Sequence, residues 1–307
     1  MKRIEYLNRQ PVVAFIEHLR QLLNEELVIA NQWHDGRPWA CNTLLGAAEQ
    51  YRFGIDTSTI VQTPGVQRYA RQESLAANAR VLSLFAEALS EARRRGDNDA
   101  VAQVCVEIQF WGGTGRGANS PNVAWLRERQ TCADLDRRLC RYLDFCENQF
   151  GNGEHYLPSR GSGGERSGNE VEIRSNAGFT KIYSLAFGNF AIYDARVAAA
   201  LGRILLKHLQ AIEAAEVPDD LKICWTKRTT GHERRDPAAH GFKLPVWDGN
   251  DREHLWSNVR ANWILREALI DTKFEAEVYR HPERYPVTPL RALEAALFML
   301  GYDVTNL

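Results

Sequence analysis

The sequence predicts a mainly α-helical protein of two lobes with minor β structure. Apolar residues recur at three-to-four spacing over most of the chain, alternating strand-like patterns are confined to two short segments, and no strand–helix–strand succession occurs. A chain of 307 residues fits one large domain or two lobes of about 150 residues each.

A first helix is expected over 12–27, with Pro11 at its start and Phe15, Leu19, Leu22 and Leu23 as its apolar stripe. A second, over 67–95, carries Val81, Leu82, Phe85 and Leu89, and Gly96 stops it behind a basic last turn. A third runs over 98–111 and ends at the glycine-rich WGGTGRGANSP. A fourth is expected over 123–150, with Leu126, Leu135, Leu139, Leu143 and Phe145 inside and Arg137, Arg138 and Arg141 outside. A short helix over 180–187, an extended FAIY and an Ala- and Leu-rich helix over 195–215 follow. Helices over 258–269 and 289–300 close the chain. The strand candidates are 170–174 (EVEIR) and 223–226 (ICWT). Two segments break the helical pattern: 151–178, dense in Gly, Ser and Arg, and 226–251. The first is the expected boundary between an N-terminal helical lobe, 1–150, and a C-terminal lobe, 151–307.

The 38 basic residues against 39 acidic ones leave a formal net charge of −1, so no global positive field draws the chain to a polyanion. A nucleic-acid partner must be held by local patches. Six cysteines lack any C-x-x-C pair, which argues for free thiols in a reducing, cytosolic setting and against zinc. No apolar run reaches the roughly 20 residues of a membrane span, and no His spacing suits a metal. The Gly-rich loop near Arg116 follows a helix and lacks a G-K-[ST] continuation, so it reads as a turn and not as a nucleotide loop.

The chemistry concentrates in 176–204, NAGFTKIYSLAFGNFAIYDARVAAALGRI. Asp194 stands just before a helix, where Asp is a favoured N-cap on ordinary grounds. Lys181 reads equally as a solvated surface lysine. Two stretches, GFTK with AIYDARVAAAL, resemble the end of the hairpin and the catalytic segment of the helix-hairpin-helix DNA glycosylases, nearest to the 8-oxoguanine DNA glycosylase branch. LWSNVRANWILREAL at 255–269 adds a likeness to bacterial proteins of that fold, some of which act in phage defence.

The resemblance implies a helical glycosylase fold, a duplex DNA partner carrying an oxidised purine or a hypermodified phage base, a cytosolic monomer, and no metal, membrane or cofactor. It makes Asp194 the essential carboxylate and Lys181 the amine nucleophile, which would also permit a lyase step. Gly178 and Thr180 belong to its hairpin end. The candidate DNA contacts are Arg174, Arg196, Arg160, Lys227, Arg228, Arg234 and Arg235. Trp111 and Trp247 are candidates for stacking an extruded base, with core packing as the ordinary alternative. A non-catalytic DNA-binding or defence module of the same fold is the alternative function.

Overall fold

A computed structural model describes residues 2–33, 35–54, 60, 62–114, 120–134, 138–151, 173–227, 233–239 and 241–307. Among them are twelve α-helices: α1 (Arg3–Leu7), α2 (Gln10–Asn24), α3 (Leu44–Glu49), α4 (Leu75–Arg94), α5 (Asn98–Trp111), α6 (Pro121–Gln130), α7 (Leu139–Cys146), α8 (Ala177–Ala186), α9 (Ala195–Ala211), α10 (Asp251–Leu269), α11 (Lys273–Arg280) and α12 (Pro289–Leu300). One antiparallel hairpin, β1 (Ile29–Gln32) with β2 (Pro38–Cys41), pairs Ile29 with Cys41 and Gln32 with Pro38. The fold class is therefore mainly α, as expected.

Helix packing sorts the chain into two groups. Helices α4 to α8 pack on one another around α5. The second group joins the two ends of the chain, because α2 packs on α10, α3 on α12 and α9 on both α2 and α12. The expected division at 150/151 does not follow this packing: periodicity shows that a helix has an apolar face but not which distant helix covers it. At the centre of the second group, α12 is buried along almost its whole length, from Pro289 to Leu300 with only Arg291 partly exposed.

Several elements differ from the sequence reading for local reasons. The helix expected over 123–150 is two, α6 and α7, and Asn98 stitches the break. Its side-chain amide donates to the carbonyls of Arg129 (3.2 Å) and Gln130 (3.0 Å), while its Oδ1 accepts from the Leu139 amide (2.8 Å). These bonds satisfy groups that a helix end otherwise leaves open. The helix expected over 67–95 is a short 3-10 turn, Val66–Tyr69, then α4 behind its Ser74 cap, because Arg71 takes a left-handed conformation with φ 63°. Helix α10 starts at Asp251, seven residues earlier than 258, behind the cap Asn250. Helix α9 ends at Ala211 instead of 215, and α2 at Asn24 instead of 27. Segment 223–226 is no strand: Trp225 makes a single parallel bridge with Val246. In the other strand candidate, residues 170–172 lie outside the described residues and Ile173 and Arg174 are in no strand.

At the seam of α2 and α9, buried His208 stacks on His18 with ring centroids 4.8 Å apart and meets Phe15 at 5.7 Å. Burial, then the charge of His18, pushes the His208 pKa down to about 4. All six cysteines are free thiols, and no described helix is long and apolar enough to cross a membrane.

Where α12 ends it runs into the start of α9. A Cβ on Gly301 would lie 2.2 Å from the Arg196 carbonyl oxygen, a backbone atom that cannot swing aside. Gly301→Ala is therefore expected to destabilise the fold by about 1–3 kcal/mol, read as a lowered denaturant midpoint. An unchanged midpoint would contradict this close approach.

Candidate functional site

The site is built where α8, the extended segment 190–193 and α9 meet. Helix α8 begins at Asn176, whose Oδ1 accepts from the amides of Gly178 (3.0 Å) and Phe179 (3.2 Å). Asn122 and Gln109 lock this cap in place. Asn122 Nδ2 donates to Asn176 Oδ1 and to Gln109 Oε1, both at 3.0 Å, and Gln109 Nε2 donates to the Gly178 carbonyl at 3.0 Å. Thr114, at the end of the Gly-rich turn, donates to Gln109 Oε1 at 2.8 Å. The network pins the 111–114 turn over the first turns of α8. Consequently the aliphatic stem of Lys181 lies on Gly112, where a Cβ would come within 2.3 Å of Lys181 Cδ.

Lys181 is 6% exposed, and the reading of it as a solvated lysine does not hold. Its Nζ folds back toward the head of α8 and donates to the Ala177 carbonyl at 2.8 Å. Burial lowers its pKa below the ordinary lysine value; the negative charges of Asp194 and Glu294 oppose the shift and Arg196 adds to it.

The carboxylate is positioned from the other side. Segment 190–193 is clamped by two side chains from the second helix group. Asn262 of α10 accepts from the Ala191 amide at 2.6 Å and donates to its carbonyl at 3.3 Å, and Glu294 of α12 accepts from the Ile192 amide at 2.5 Å. The Tyr193 hydroxyl donates to the Cys224 carbonyl at 2.6 Å. Asp194 then caps α9, Oδ1 accepting from the amides of Arg196 (2.9 Å) and Val197 (3.0 Å). Both bonds use the same oxygen, so Oδ2 takes no part in the cap. Burial raises the Asp194 pKa, but Lys181, Arg196, the Val197 amide and Arg235 outweigh it and hold the carboxyl below its ordinary range. Glu294, by contrast, is raised by burial despite its ion pair with Arg291 at 2.5 Å.

A third titratable group, not anticipated from the sequence, adjoins the pair. His254 of α10 is 3% exposed, its Nδ1 lies 2.9 Å from the Ser175 hydroxyl, and its ring meets Tyr193 at 5.6 Å and Trp247 at 5.4 Å. Burial first, then Lys181, pushes its pKa down to about 3, against a smaller opposite effect of Asp194.

The remaining candidates are distributed differently from the expectation. Trp111 is a core residue, 4% exposed, with its indole N–H on Asn78 (3.2 Å) and its ring against Phe53, so it does not line a base pocket. Thr180 is fully buried and donates to the Ala177 carbonyl at 3.2 Å, and the Gly178 amide is already held by Asn176. Neither offers a donor to a phosphate. Arg235 is 3% exposed and paired with Glu233, which also holds Arg196 at 2.9 Å; Arg196 in turn lies over the rings of Tyr302 and Phe298. Those two arginines brace the start of α9 from within. Arg174 is half-buried and meets Asp251 at 3.3 Å, while Lys227 and Arg234 are exposed and Trp247 is partly exposed beside His254. Arg160 and Arg228 lie outside the described residues.

Among the described residues no group of three His, Cys, Asp or Glu side chains is placed to hold a metal ion. Comparison with family models, with curated proteins and with solved structures returns no match.

The buried histidines set a pH dependence. His254 and His208 have folded-state pKa values near 3 and 4 against an unfolded value of about 6.5. As pH falls below 6.5 the unfolded chain takes up protons that the folded chain refuses, so stability is full above about 6.5 and declines toward pH 4. The depressed carboxyls of Asp194 and Glu233 add a further loss at lower pH. Denaturant midpoints measured from pH 7 to 4 should fall steadily, and His254→Gln and His208→Gln should each flatten the slope. A flat wild-type profile over this window would contradict the assignment of both rings as neutral.

Proposed function

We propose that the protein is a DNA N-glycosylase of the helix-hairpin-helix type, excising a damaged or modified base such as an oxidised purine or a hypermodified base of phage DNA. One observation carries the reading. Of the two residues that the resemblance makes catalytic, Lys181 is buried and Asp194 partly buried at the junction of α8 and α9, and each acts electrostatically on the other. Thirteen residues and a helix end separate them in sequence, so their juxtaposition is a property of the folded chain.

The chemistry suits them. Leaving of the base puts positive oxocarbenium character on the deoxyribose, and a carboxylate fixed at a helix N-terminus stabilises it without reorganising. With Oδ1 held by two amides, Asp194 presents a fixed charge. Lys181 requires an unprotonated amine to attack C1′, and desolvation increases that fraction at neutral pH. Exposed Lys227 and Arg234 supply local positive charge for the DNA backbone on a chain without net positive charge.

A second reading, a non-catalytic DNA-binding module that retains the fold, is favoured by one specific observation. Among the described residues the hydrogen bonds of Asp194 run only to the amides of its own helix, as a purely structural cap requires. Base-release assays on duplexes containing 8-oxoguanine or 5-hydroxymethylcytosine decide between them. Asp194→Asn should slow release by about 10²–10³-fold, and Lys181→Gln should abolish borohydride trapping to an abasic duplex. Full release by Asp194→Asn would remove the catalytic assignment. Binding without release or trapping by the wild type would establish the second reading.

A further inference from the structure

Segment 51–54, which follows α3, has no regular secondary structure, and its side chains point alternately inward and outward as in a strand. Tyr51 and Phe53 turn inward. Both rings meet Phe298 of α12, at 5.3 and 5.9 Å, and Phe53 also meets Trp111 at 5.5 Å. These contacts tie the segment to both sides of the site: Trp111 precedes the Gly112 on which Lys181 lies, and the Arg196 guanidinium lies 4.6 Å from the Phe298 ring. Arg52, between the two rings, turns outward. Its guanidinium lies over the Trp33 ring at 4.2 Å, and Arg37 is 5.4 Å from the same ring. Trp33 is a fixed platform, because its indole N–H donates to the Gln50 carbonyl at 3.0 Å and its backbone closes the hairpin turn onto Gly36 and Arg37 at 2.9 Å each.

Arg37 already has an anion, Asp35, in an ion pair at 2.6 Å. Arg52 has none: among the described residues it makes no hydrogen bond or ion pair, and it is partly exposed. A guanidinium stacked flat on an indole keeps its in-plane N–H groups free, in the fork that fits a phosphate. The Phe53 amide donates to the Glu73 carbonyl at 3.0 Å, which brings exposed Arg71, in its left-handed conformation, into the same neighbourhood. Among the described residues of 51–74, three arginines (Arg52, Arg68 and Arg71) stand against one acid, Glu73, so this stretch carries the positive charge that the whole chain, at −1, lacks. We propose that Arg52, seated on Trp33, anchors a backbone phosphate of the DNA duplex that lies across the site. The inference rests on the DNA partner of the reading above and adds a contact on the N-terminal side of the pair. Tyr51, next to the anchor, is two ring contacts from Arg196 at the head of α9, so a strand gripped at Arg52 passes close to Asp194. Such a contact positions the duplex and reads no sequence.

Equilibrium binding of the full chain to an 8-oxoguanine duplex and to the matching undamaged duplex, read by fluorescence anisotropy across a salt series, tests the anchor. Arg52→Gln is expected to lower affinity about tenfold on both duplexes and to reduce the slope of log affinity against log salt by about 1. Trp33→Leu keeps the charge and removes the platform, so affinity should fall while the slope stays. Arg52→Lys, which has the charge without the fork, should bind between wild type and Arg52→Gln. Wild-type affinity and slope in Arg52→Gln overturn the anchor, and so does a loss confined to single-stranded oligonucleotides, which would make Arg52 a stacking group for bases. Wild-type binding by Trp33→Leu, or by Arg52→Lys if Trp33→Leu does not fold, overturns the seated guanidinium. A wild type that binds both duplexes through Arg52 but releases no base overturns the glycosylase reading and leaves the anchor standing. A wild type that binds neither duplex overturns both.

Discussion

The Lys181 side chain lies between α8 and the Gly112 turn with 6% of its surface exposed, and an ammonium taken that far from water must find negative charge or give up its proton. Much of the surrounding architecture answers that constraint. Asp194 and Glu294 supply the negative charge, from the head of α9 and the middle of α12. Each of those carboxylates has its own partners: two amides and neighbouring cations for Asp194, Arg291 and the Ile192 amide for Glu294. Arg196 then needs Glu233, and Glu233 is shared with Arg235. Breaking one member of such a partly buried set leaves another charge unpaired, which destabilises the fold.

The same constraint explains why the two helix groups meet here. The first contributes α8 and the amide network of Gln109, Asn122 and Asn176; the second contributes the clamps Asn262 and Glu294. Segment 190–193 runs between them with no regular secondary structure, so its backbone amides need side-chain partners, and Asn262 and Glu294 provide them. A site assembled from both groups in this way is fixed by buried side-chain hydrogen bonds to backbone and not by loop packing.

Local signals carried much of the fold. Helices α5 and α12 fall on the residues that their periodicity marks, and Asp194 is at the helix start that its residue type suggests. The break between α6 and α7 was hidden because the residue that makes it, Asn98, lies more than thirty positions away in sequence. The β1–β2 hairpin was missed because four-residue strands carry too little alternation to register. The burial of Lys181 left no trace, because Thr180, Lys181 and Ser184 share one face of α8 at helical spacing and read as an ordinary polar stripe. His254 left none, since its partner Ser175 is 79 residues distant and no motif spacing links them. Arg196 and Arg235 looked like DNA contacts because their residue type fits that role; the sequence could not show that Glu233 folds between them.

The coupling of Lys181 to Asp194 is the central claim, and the titration of Lys181 tests it most directly. Nuclear magnetic resonance of protein labelled with ¹³C at the lysine ε-carbons, assigned with Lys181→Gln, reads that pKa in the intact chain. The account predicts a value below the ordinary lysine value of about 10.4, falling further in Asp194→Asn, where the opposing negative charge is gone. An ordinary value that Asp194→Asn leaves unmoved would contradict it.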